Sequence, residues 1–452
     1  MVEINDKLRS WIKEHEIDEV EALVPDMTGN ARGKIIPAYR FLKGEGVRLP
    51  EAVFMQTVTG EWPDPSLYRT LIHPSDRDMF LRADPGTVCM VPWAEEPTAQ
   101  IIHDCVNAAG EYHPLAPRTV LRSVLQLYAD DGLQPIVAPE VEFYLVEKNT
   151  DADYPLRPPV GRSGRPERAR QSYSIDAVNE FDPLFEEMYD FAEVMKLDVD
   201  TLIHESGAAQ MEVNFEHADA LSRADQVFLF KRLMREVAMR NDVFATFLAK
   251  PMENEPGSSM HIHQSVNDLK TGRNIFEDTD DGKMNSTFRH YIGGLQKYTP
   301  AAMIFYAPYV NSYRRLIYGD SAPVNVHWGI DNRTGGLRVP VSASANRRIE
   351  SRFGGSDVNP YLAIAATLAC GYLGMKEKIE PTQPTDQNAR EMEQTLPHAL
   401  EESLICLEQE PAFRQTIGEN FSLAYAGIKR REYETFFRVI SSWEREYLLL
   451  NV

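Results

Sequence analysis

Hydrophobic residues at helical spacing mark the predicted helices of this chain. Between residues 117 and 130, apolar side chains at positions 120, 121, 124, 125 and 128 share one face, which predicts an amphipathic helix. The same spacing predicts helices over residues 6–15, 183–195, 224–240 and 360–373. We therefore expect the last third of the chain to be largely helical.

Short strand patterns dominate the region before about residue 113. Residues 20–24 and 32–37 are strand-prone and flank a turn-rich segment at 26–30, which predicts a hairpin. The pattern changes near residue 114, where helices begin to alternate with strands. We predict an α+β fold with a small β-rich domain over residues 1–113 and a large domain over residues 114–452.

Acidic residues occupy one face of the predicted strand at residues 140–146. Val141 and Phe143 alternate with Glu140 and Glu142, so the two glutamates share the face opposite the apolar side chains. A solvent-facing strand carries two such glutamates without any function, and this segment alone favours that interpretation.

Further segments repeat this arrangement, which makes a solvent-exposed origin for all of them hard to accept. Their polar sets are His261 and His263 with Ser265, Arg348 and Glu350 with Arg352, and Glu205 and Glu212 on either side of a turn at 206–207. Clustered glutamates repel one another unless cations neutralise them. Oxygen-rich sites with a histidine suit Mg²⁺ or Mn²⁺, and arginines suit anionic ligands. We therefore predict a metal-dependent enzyme, without the GxxxxGK[ST] sequence of a P-loop.

The composition narrows the list of partners and compartments. The formal charge of −21 disfavours duplex nucleic acid as a partner. Four cysteines without a CxxC pair fit a reducing compartment and core packing. Residues 1–20 contain no apolar stretch typical of a signal peptide, and residues 360–375 are too short for a membrane span. We expect a cytoplasmic protein that binds neither nucleic acid nor membrane.

Two surface segments have more than one interpretation. Residues 154–170 include five arginines, and a solvated loop is favoured over a substrate or subunit contact. The apolar tail at 447–452 fits docking on a neighbouring subunit and packing within its own subunit equally well.

The motifs in combination resemble the glutamine synthetase family, type I, over essentially the whole chain. They are Asp26-x-x-Gly29-x-x-Arg32-Gly33-Lys34, Glu140-x-Glu142-Phe143, Met260-His261-x-His263-x-Ser265, Asn311-Ser312-Tyr313-x-Arg315, Asn332-Arg333 with Arg338-x-Pro340, Arg347-Arg348-Ile349-Glu350-x-Arg352 and Asn359-Pro360-Tyr361. The resemblance implies an N-terminal β-grasp domain and a catalytic ATP- and metal-binding domain with a funnel of antiparallel strands. It also implies a homododecamer of two stacked hexamers, with each site at a subunit boundary.

The resemblance also implies roles for individual residues. The first metal ion would be held by Glu142, Glu205 and Glu212, and the second by Glu140, His261 and Glu350. ATP would contact His263, Ser265, Arg338 and Arg348. Glutamate and the transferred phosphate would contact Arg315, Arg333 and Arg352, with Gly257 in the same pocket. The cofactors would be two or more Mg²⁺ or Mn²⁺ ions, with ATP as co-substrate for L-glutamate activation through γ-glutamyl phosphate.

The sequence departs from glutamine synthetase where that family binds ammonium. Its flap motif carries Glu before Ala-Pro, whereas here Ser321 stands at that position, with Asp320 one residue earlier. The family's Asp-Gly-Ser-Ser segment corresponds to residues 53–60, which contain no acid. These changes favour a larger nucleophile, as in the γ-glutamylpolyamine synthetase or glutamate–amine ligase branch.

We therefore predict a ligase that joins glutamate to an alkylamine or polyamine such as putrescine, in amine catabolism within nitrogen metabolism. Glu205 and Asp320 are the candidate general bases, Arg315 and Arg333 the other catalytic candidates, and Ser321, Gln56 and the arginine-rich loop the candidate amine determinants. An ammonia-using glutamine synthetase is the alternative, and a non-catalytic structural homologue is a third possibility. Which amine is used cannot be read from the sequence.

Overall fold

The computed structural model describes residues 5–318 and 321–452. Within these ranges the strands are β1 (Glu19–Pro25), β2 (Ala31–Pro37), β3 (Val47–Pro50), β4 (Asp78–Ala83), β5 (Cys89–Met90), β6 (Thr98–Val106), β7 (Leu133–Glu147), β8 (Val199–His204), β9 (Gln210–Phe215), β10 (Ala218–Asp219), β11 (Val243–Thr246), β12 (Met260–Asp268), β13 (Trp328–Ile330), β14 (Leu337–Val339) and β15 (Ile349–Ser351).

The helices of the same ranges are concentrated in the second half of the chain. They are α1 (Asp6–Glu14), α2 (Ala38–Phe41), α3 (Pro65–Leu71), α4 (Pro117–Asp130), α5 (Ile175–Asn179), α6 (Asp182–Met195), α7 (Ala220–Arg240), α8 (Ser286–Tyr306), α9 (Val310–Tyr318), α10 (Pro360–Glu377), α11 (Leu400–Gln409), α12 (Pro411–Ile417), α13 (Glu419–Phe436) and α14 (Ser442–Tyr447). Among the described residues, no helix is long and apolar enough to cross a membrane.

The N-terminal strands form a six-stranded sheet with the order β2-β1-β6-β4-β3, and β5 pairs with β6. β1 and β6 are parallel neighbours, and the hairpin of β1 and β2 is antiparallel, as the turn at 26–30 predicts. Helix α1 buries Leu8 and Ile12 against Val20, Ala99 and Ile101 of the sheet. This packing explains the amphipathic pattern at the start of the chain.

The later strands form a nine-stranded sheet with the order β13-β14-β15-β12-β7-β9-β8, and β10 and β11 also pair with β7. All of its pairings are antiparallel except β13 with β14. The long strand β7 lies at the centre, so the residues of its polar face have neighbours on both sides. The antiparallel sheet agrees with the expected funnel, and the α+β class is confirmed.

Helices α8 and α10 pack at very short range behind this sheet. A Cβ atom added to Gly294 would lie 2.3 Å from the carbonyl oxygen of Cys370 and 2.5 Å from the Cα of Gly374. Two glycines facing each other therefore permit the contact. Asn359 caps the start of α10 by accepting hydrogen bonds from the backbone N–H groups of Tyr361 and Leu362.

A buried ion network joins the first sheet to helices α4 and α7. Arg118 donates to Asp104 of β6 at 2.6 Å, to Asp225 of α7 at 2.9 and 2.7 Å, and to Asp84 at 2.7 Å. The Arg118 side chain is 3% exposed. One guanidinium thus donates to three carboxylates from different parts of the chain, which ties the first sheet to the helical layer.

Most of the predicted elements are present, with shifted ends. The helix predicted over 224–240 begins at Ala220, and the one predicted over 360–373 continues to Glu377. The thiols of Cys89, Cys105 and Cys370 are buried, as core packing requires. The segment 380–397 is largely irregular, as its turn-rich composition indicates. The division into domains at residue 114 stays a prediction.

Candidate active site

Four neighbouring strands bring the predicted polar residues into one cluster. In the register of the sheet, Glu140 of β7 lies opposite His261 of β12, and Glu142 lies opposite Glu212 of β9. His263 lies opposite Glu350 of β15. The alternating residues Val141, Phe143 and Leu145 are fully buried on the other face of β7. The period of two therefore positions the cluster.

Two overlapping groups within this cluster have the spacing of a metal site. The ligand atoms of Glu140, Glu212 and His261 lie within 4.8 Å of one another, and so do those of Glu140, His263 and Glu350. These groups cut across the ligand sets implied by the resemblance, because Glu350 is grouped with His263 although His261 also lies within 4 Å of it. The assignment of individual ligands to two ions stays a prediction.

On one side of the cluster, burial and neighbouring carboxylates disfavour the ionisation of each carboxyl. Burial and the charge of Glu205 raise the pKa of Glu142 to about 8. Burial, followed by the charges of Glu140, Glu142, Glu205 and Glu350, raises the pKa of Glu212 well above its usual range. The pKa of Glu205 is also raised, chiefly by burial. A cation that entered here would relieve this repulsion.

The other side of the cluster is already balanced by cationic partners. Burial alone would raise the pKa of Glu350, but Arg352, His263 and His261 hold it at about 2. Arg338 donates to Glu350 at 2.8 Å, and Arg352 also donates to it. Against its burial, the hydrogen bonds of His261 and His263 hold the pKa of Glu140 well below its usual range.

A large cavity adjoins the cluster on the side of His263. It has a volume of about 890 Å³, and its walls include the predicted ATP contacts His263, Ser265 and Arg348. The fourth predicted contact, Arg338, is not among its lining residues and instead pairs with Asp331 and Glu350. The volume and the polar walls of the cavity suit a nucleotide.

Arg315 is buried and tied to the main chain. It donates to the carbonyl oxygens of Phe353 at 2.8 Å and Arg352 at 3.0 Å, and to the hydroxyl of Ser259 at 2.8 Å. A Cβ atom on Gly257 would lie 2.6 Å from the Arg315 side chain. The structure therefore shows both residues as packing partners behind Glu142, and their contact with substrate stays a prediction.

The other predicted substrate residues lie at different depths. Arg352 is buried beside Glu350, and its Nε atom has no hydrogen-bond partner among the described residues. Arg333 and Ser321 are exposed, and Gln56 is half-buried. Asp320 lies outside the described residues.

The site depends on residues that the sequence patterns did not single out. Gln210 donates through Nε2 to Glu142 at 3.2 Å, to the carbonyl oxygen of Gly257 at 3.1 Å and to the hydroxyl of Ser258 at 3.2 Å. The backbone N–H of Ser259 donates to Glu142 at 2.8 Å. A glutamine in a strand carries no periodic signal, so its role becomes visible with the fold.

The donor set fits the divalent ions expected from the sequence. Carboxylate oxygens dominate, and His261 and His263 add imidazole nitrogens, a combination that accommodates Mg²⁺ or Mn²⁺. The Nδ1 atom of His263 and the Oδ1 atom of Asn214 are buried without a hydrogen-bond partner among the described residues. Such atoms beside repelling carboxyls indicate a site built for a bound group.

The catalytic region of the chain matches a known family. Residues 114–448 match the family model described as glutamine synthetase, catalytic domain. The chain belongs to the glutamine synthetase family. The resemblance inferred from the motifs is confirmed, and the cluster occupies the catalytic domain of this family.

Relatives in the glutamine synthetase family carry names of two kinds. The chain is 32% identical over 440 residues to gamma-glutamylputrescine synthetase PuuA of Escherichia coli, covering 96% of this chain and 92% of that protein. It is 32% identical over 432 residues to a glutamine synthetase of Pyrococcus abyssi, covering 94% and 92%. It is 30% identical over 447 residues to glutamate–isopropylamine ligase of a Pseudomonas species, covering 97% and 96%.

A solved structure of GmaS without ligand has the same fold. It superposes with a TM-score of 0.82 at 27% sequence identity, covering 98% of this chain and 99% of that one. The N-terminal sheet and the catalytic sheet both lie within this match.

We expect the affinity for a divalent metal ion to increase with pH. Glu142, with a pKa of about 8, and Glu212, with a pKa well above its usual range, retain protons that a metal ion must displace. Each displaced proton raises the affinity by up to about tenfold per pH unit below the folded pKa. Calorimetric titration with Mn²⁺ at pH 6, 7 and 8, in buffers with different ionisation enthalpies, measures the affinity and the number of protons released.

The sign of the stability effect follows from the same shifts. A carboxyl with a raised folded pKa favours the folded state below its unfolded pKa, and this contribution is lost as pH rises through about 8 for Glu142. The thermal stabilisation by Mn²⁺ should therefore be larger at pH 8 than at pH 6. An affinity that is independent of pH, with no proton release, contradicts this prediction.

Proposed function

We propose that this protein is an ATP-dependent ligase that joins the γ-carboxylate of L-glutamate to an amine. The proposal is supported by membership of the glutamine synthetase family and by the cluster of Glu140, Glu212, His261, His263 and Glu350. It is also supported by relatives named gamma-glutamylputrescine synthetase and glutamate–isopropylamine ligase.

The chemistry requires that a poor electrophile be activated. The γ-carboxylate oxygen attacks the terminal phosphorus of ATP, which forms γ-glutamyl phosphate and releases ADP. The amine nitrogen then attacks the γ-carbonyl carbon, a C–N bond forms, and the C–O bond to phosphate breaks. Divalent ions, when bound, offset the charge of the phosphate oxygens. The arginines Arg338 and Arg352 at Glu350 add fixed positive charge beside the cluster.

The attacking nitrogen must also lose a proton. Glu205 is the first proposed base because its carboxyl lies in the cluster, where its charge raises the pKa of Glu142. It adjoins the repelling carboxyls Glu142 and Glu212, so a proton taken up there lowers the local negative charge. Asp320 remains the second proposed base.

The main support for an amine as the nucleophile is the presence of Ser321 in the flap motif. Its position in the flap motif holds Glu in true glutamine synthetases, and here the residue is a short, exposed hydroxyl. The loss of a carboxylate removes the charge that would hold ammonium and opens volume for an alkyl chain. Residues 53–60 add no acid to replace it.

Further features of the proposal concern the setting of the reaction. We propose Mg²⁺ or Mn²⁺ as the ions, a homododecamer of two stacked hexamers as the assembly, and amine or polyamine catabolism in the cytoplasm as the context. The exposed apolar tail, with Leu449 at 74% and Leu450 at 91% exposed, supports an assembly in which a neighbouring subunit covers it.

We expect faster turnover with an amine than with ammonium. Phosphate release should be measured with L-glutamate, ATP and Mg²⁺ in the presence of ammonium, putrescine, spermidine, methylamine or isopropylamine. We expect kcat/KM for one amine to exceed that for ammonium by at least about tenfold, a difference of roughly 1.4 kcal/mol in transition-state binding.

Two comparisons separate the alternatives. Faster turnover with ammonium than with any amine would establish the ammonia-using glutamine synthetase, which the Pyrococcus relative makes a real competitor. The absence of ATP turnover with ammonium and with every amine, together with no thermal shift on adding Mn²⁺ and ATP, would instead support a non-catalytic homologue. The variant Ser321→Glu should move the preference towards ammonium. It tests directly whether Ser321 is responsible for the choice of an amine.

A further inference from the structure

The side chain of Glu167 attaches the loop that contains the five arginines to the active site. Residues 148–174 leave β7 and return at α5, and the arginines of this segment are exposed. Glu167 is different, because its side chain is only 9% exposed. An ionised group that is buried in a solvated loop requires a specific set of donors.

Glu167 receives those donors from the turn that carries Glu205. Its Oε2 atom accepts hydrogen bonds from His204 Nε2 at 3.0 Å and from the backbone N–H of Ala209 at 2.7 Å. His204 lies immediately before Glu205, and Ala209 lies immediately after the turn at Ser206–Ala208. One carboxylate oxygen therefore bridges both ends of the turn.

The connection continues through the imidazole ring to Glu205 itself. His204 Nδ1 donates to the carbonyl oxygen of Glu205 at 2.7 Å, and the His204 side chain is fully buried. The backbone N–H of Glu205 donates to the carbonyl oxygen of Gln210 at 2.8 Å. The peptide groups on both sides of Glu205 are thus fixed, one of them through the pair of His204 and Glu167.

The backbone N–H of Ala209, at the end of the turn, needs an acceptor such as Glu167. Ala209 has a φ of +57°, a left-handed conformation that is unfavourable for a residue with a side chain. Its N–H points to Glu167, while the preceding N–H of Ala208 donates to Glu255 at 3.1 Å. Without Glu167, the strained residue would lose a charge-assisted hydrogen bond in a buried place.

We propose that Glu167 is a positioning residue that holds Glu205 in the orientation required for metal binding and amine deprotonation. It acts through His204 and the backbone of Ala209, and it touches neither substrate nor metal ion. The inference deepens the proposed function, on which its catalytic part rests. It also gives the arginine-rich loop a role, since the loop anchors the turn from outside the sheet.

The test compares three variants of the whole protein. Glu167→Ala removes both acceptor bonds, whereas Glu167→Gln keeps one oxygen that accepts both. Glu180→Ala is the matched control, because Glu180 accepts a hydrogen bond from the backbone N–H of Ser163 in the same loop at 2.9 Å, away from the turn. The readouts are Mn²⁺ affinity by calorimetry without substrates, and kcat and KM with the best amine.

For Glu167→Ala we expect Mn²⁺ affinity and kcat to fall by about 10- to 100-fold, as is common for residues that orient metal ligands. KM for ATP should change little, because the nucleotide cavity does not include the turn. Glu167→Gln should retain most of both quantities, and Glu180→Ala should resemble the unmodified protein.

Several outcomes would overturn the proposal. They are unchanged Mn²⁺ affinity in Glu167→Ala, equal losses in Glu167→Ala and Glu180→Ala, or a loss in Glu167→Gln as large as that in Glu167→Ala. If Glu167→Ala does not fold, Glu167→Asp replaces it, because its shorter side chain cannot reach both donors and should still bind Mn²⁺ more weakly. If the unmodified protein makes no amide from any amine, the proposed function fails while the Mn²⁺ comparison still decides the role of Glu167.

Discussion

Replacing Glu350 by Gln should lower kcat/KM by about 10³-fold, which corresponds to roughly 4 kcal/mol of transition-state stabilisation. Glu350 is 1% exposed and lies at the centre of the balanced side of the cluster. Its pKa of about 2 keeps it ionised at neutral pH. The substitution therefore removes a permanent negative charge without changing the size of the side chain.

The loss follows from the groups that surround Glu350. Arg338 and Arg352 both donate to its carboxylate, and an amide would turn an N–H group towards one of them. The buried Arg352 would then lack its counter-charge beside His261 and His263, whereas Arg338 would keep Asp331. A divalent ion would meet a site with one anionic ligand fewer and an uncompensated arginine, so Mn²⁺ affinity should fall together with kcat.

The control for this prediction is Glu380→Gln. The Glu380 carboxylate pairs with Arg289 at the surface, and Glu380 is not among the residues that line the large cavity. We expect this variant to retain kcat and Mn²⁺ affinity within about threefold, as surface ion pairs contribute little. Retention of more than a tenth of the activity by Glu350→Gln, measured as phosphate release with the preferred amine, would show that the cluster is not the catalytic centre.

The sequence predicts this cluster because strands impose a period of two. Once Val141 and Phe143 are assigned to the core, Glu140 and Glu142 must face the opposite side, and the structure confirms that arrangement. The long helices are predictable for a similar reason, since an apolar stripe of 3.6-residue period persists over many residues. Element ends are less predictable, because capping at Asn359 and packing against neighbours decide them.

Contacts between residues far apart in sequence leave no such pattern. Arg315 looks like a substrate ligand in its motif, yet in the structure its guanidinium reaches the carbonyl groups of Arg352 and Phe353. Glu167 is one acid in an arginine-rich segment, and its partner His204 lies 37 positions away. The grouping of His263 with Glu350 also depends on the register of β12 and β15. These relations come from tertiary packing, which local periodicity does not encode.

Replacing Arg118 by Met should destabilise the fold by about 3–5 kcal/mol, the usual result of removing one partner from a buried ion pair. No motif of the site includes Arg118, yet it donates to Asp104, Asp225 and Asp84 at distances of 2.6 to 2.9 Å. Methionine is similar in volume to the aliphatic part of arginine, so the loss measures the missing charge and its hydrogen bonds. Urea unfolding followed by circular dichroism at pH 7.5 gives the change in free energy of unfolding.

The matched control is Arg122→Met on the same helix. Arg122 contacts two of the same carboxylates, Asp104 at 3.0 Å and Asp84 at 3.1 Å, but its side chain is 27% exposed. Water already screens that pair, and we expect a loss of about 1 kcal/mol or less. Equal losses in the two variants would mean that burial of the network does not matter.

The pH dependence separates an unpaired charge from a simple packing defect. Without Arg118, the buried carboxyl of Asp225 loses its cationic partner, so its folded pKa, which burial already raises, should lie further above its unfolded value. Groups of this kind stabilise the folded state at low pH and lose that contribution as pH rises through the folded pKa. The deficit of Arg118→Met should therefore be smaller at pH 5 than at pH 8, whereas a cavity or a misfit methionine would cost the same at both. A deficit that does not change with pH would assign the effect to packing and would show that the charges of the network do not hold the first sheet to helices α4 and α7.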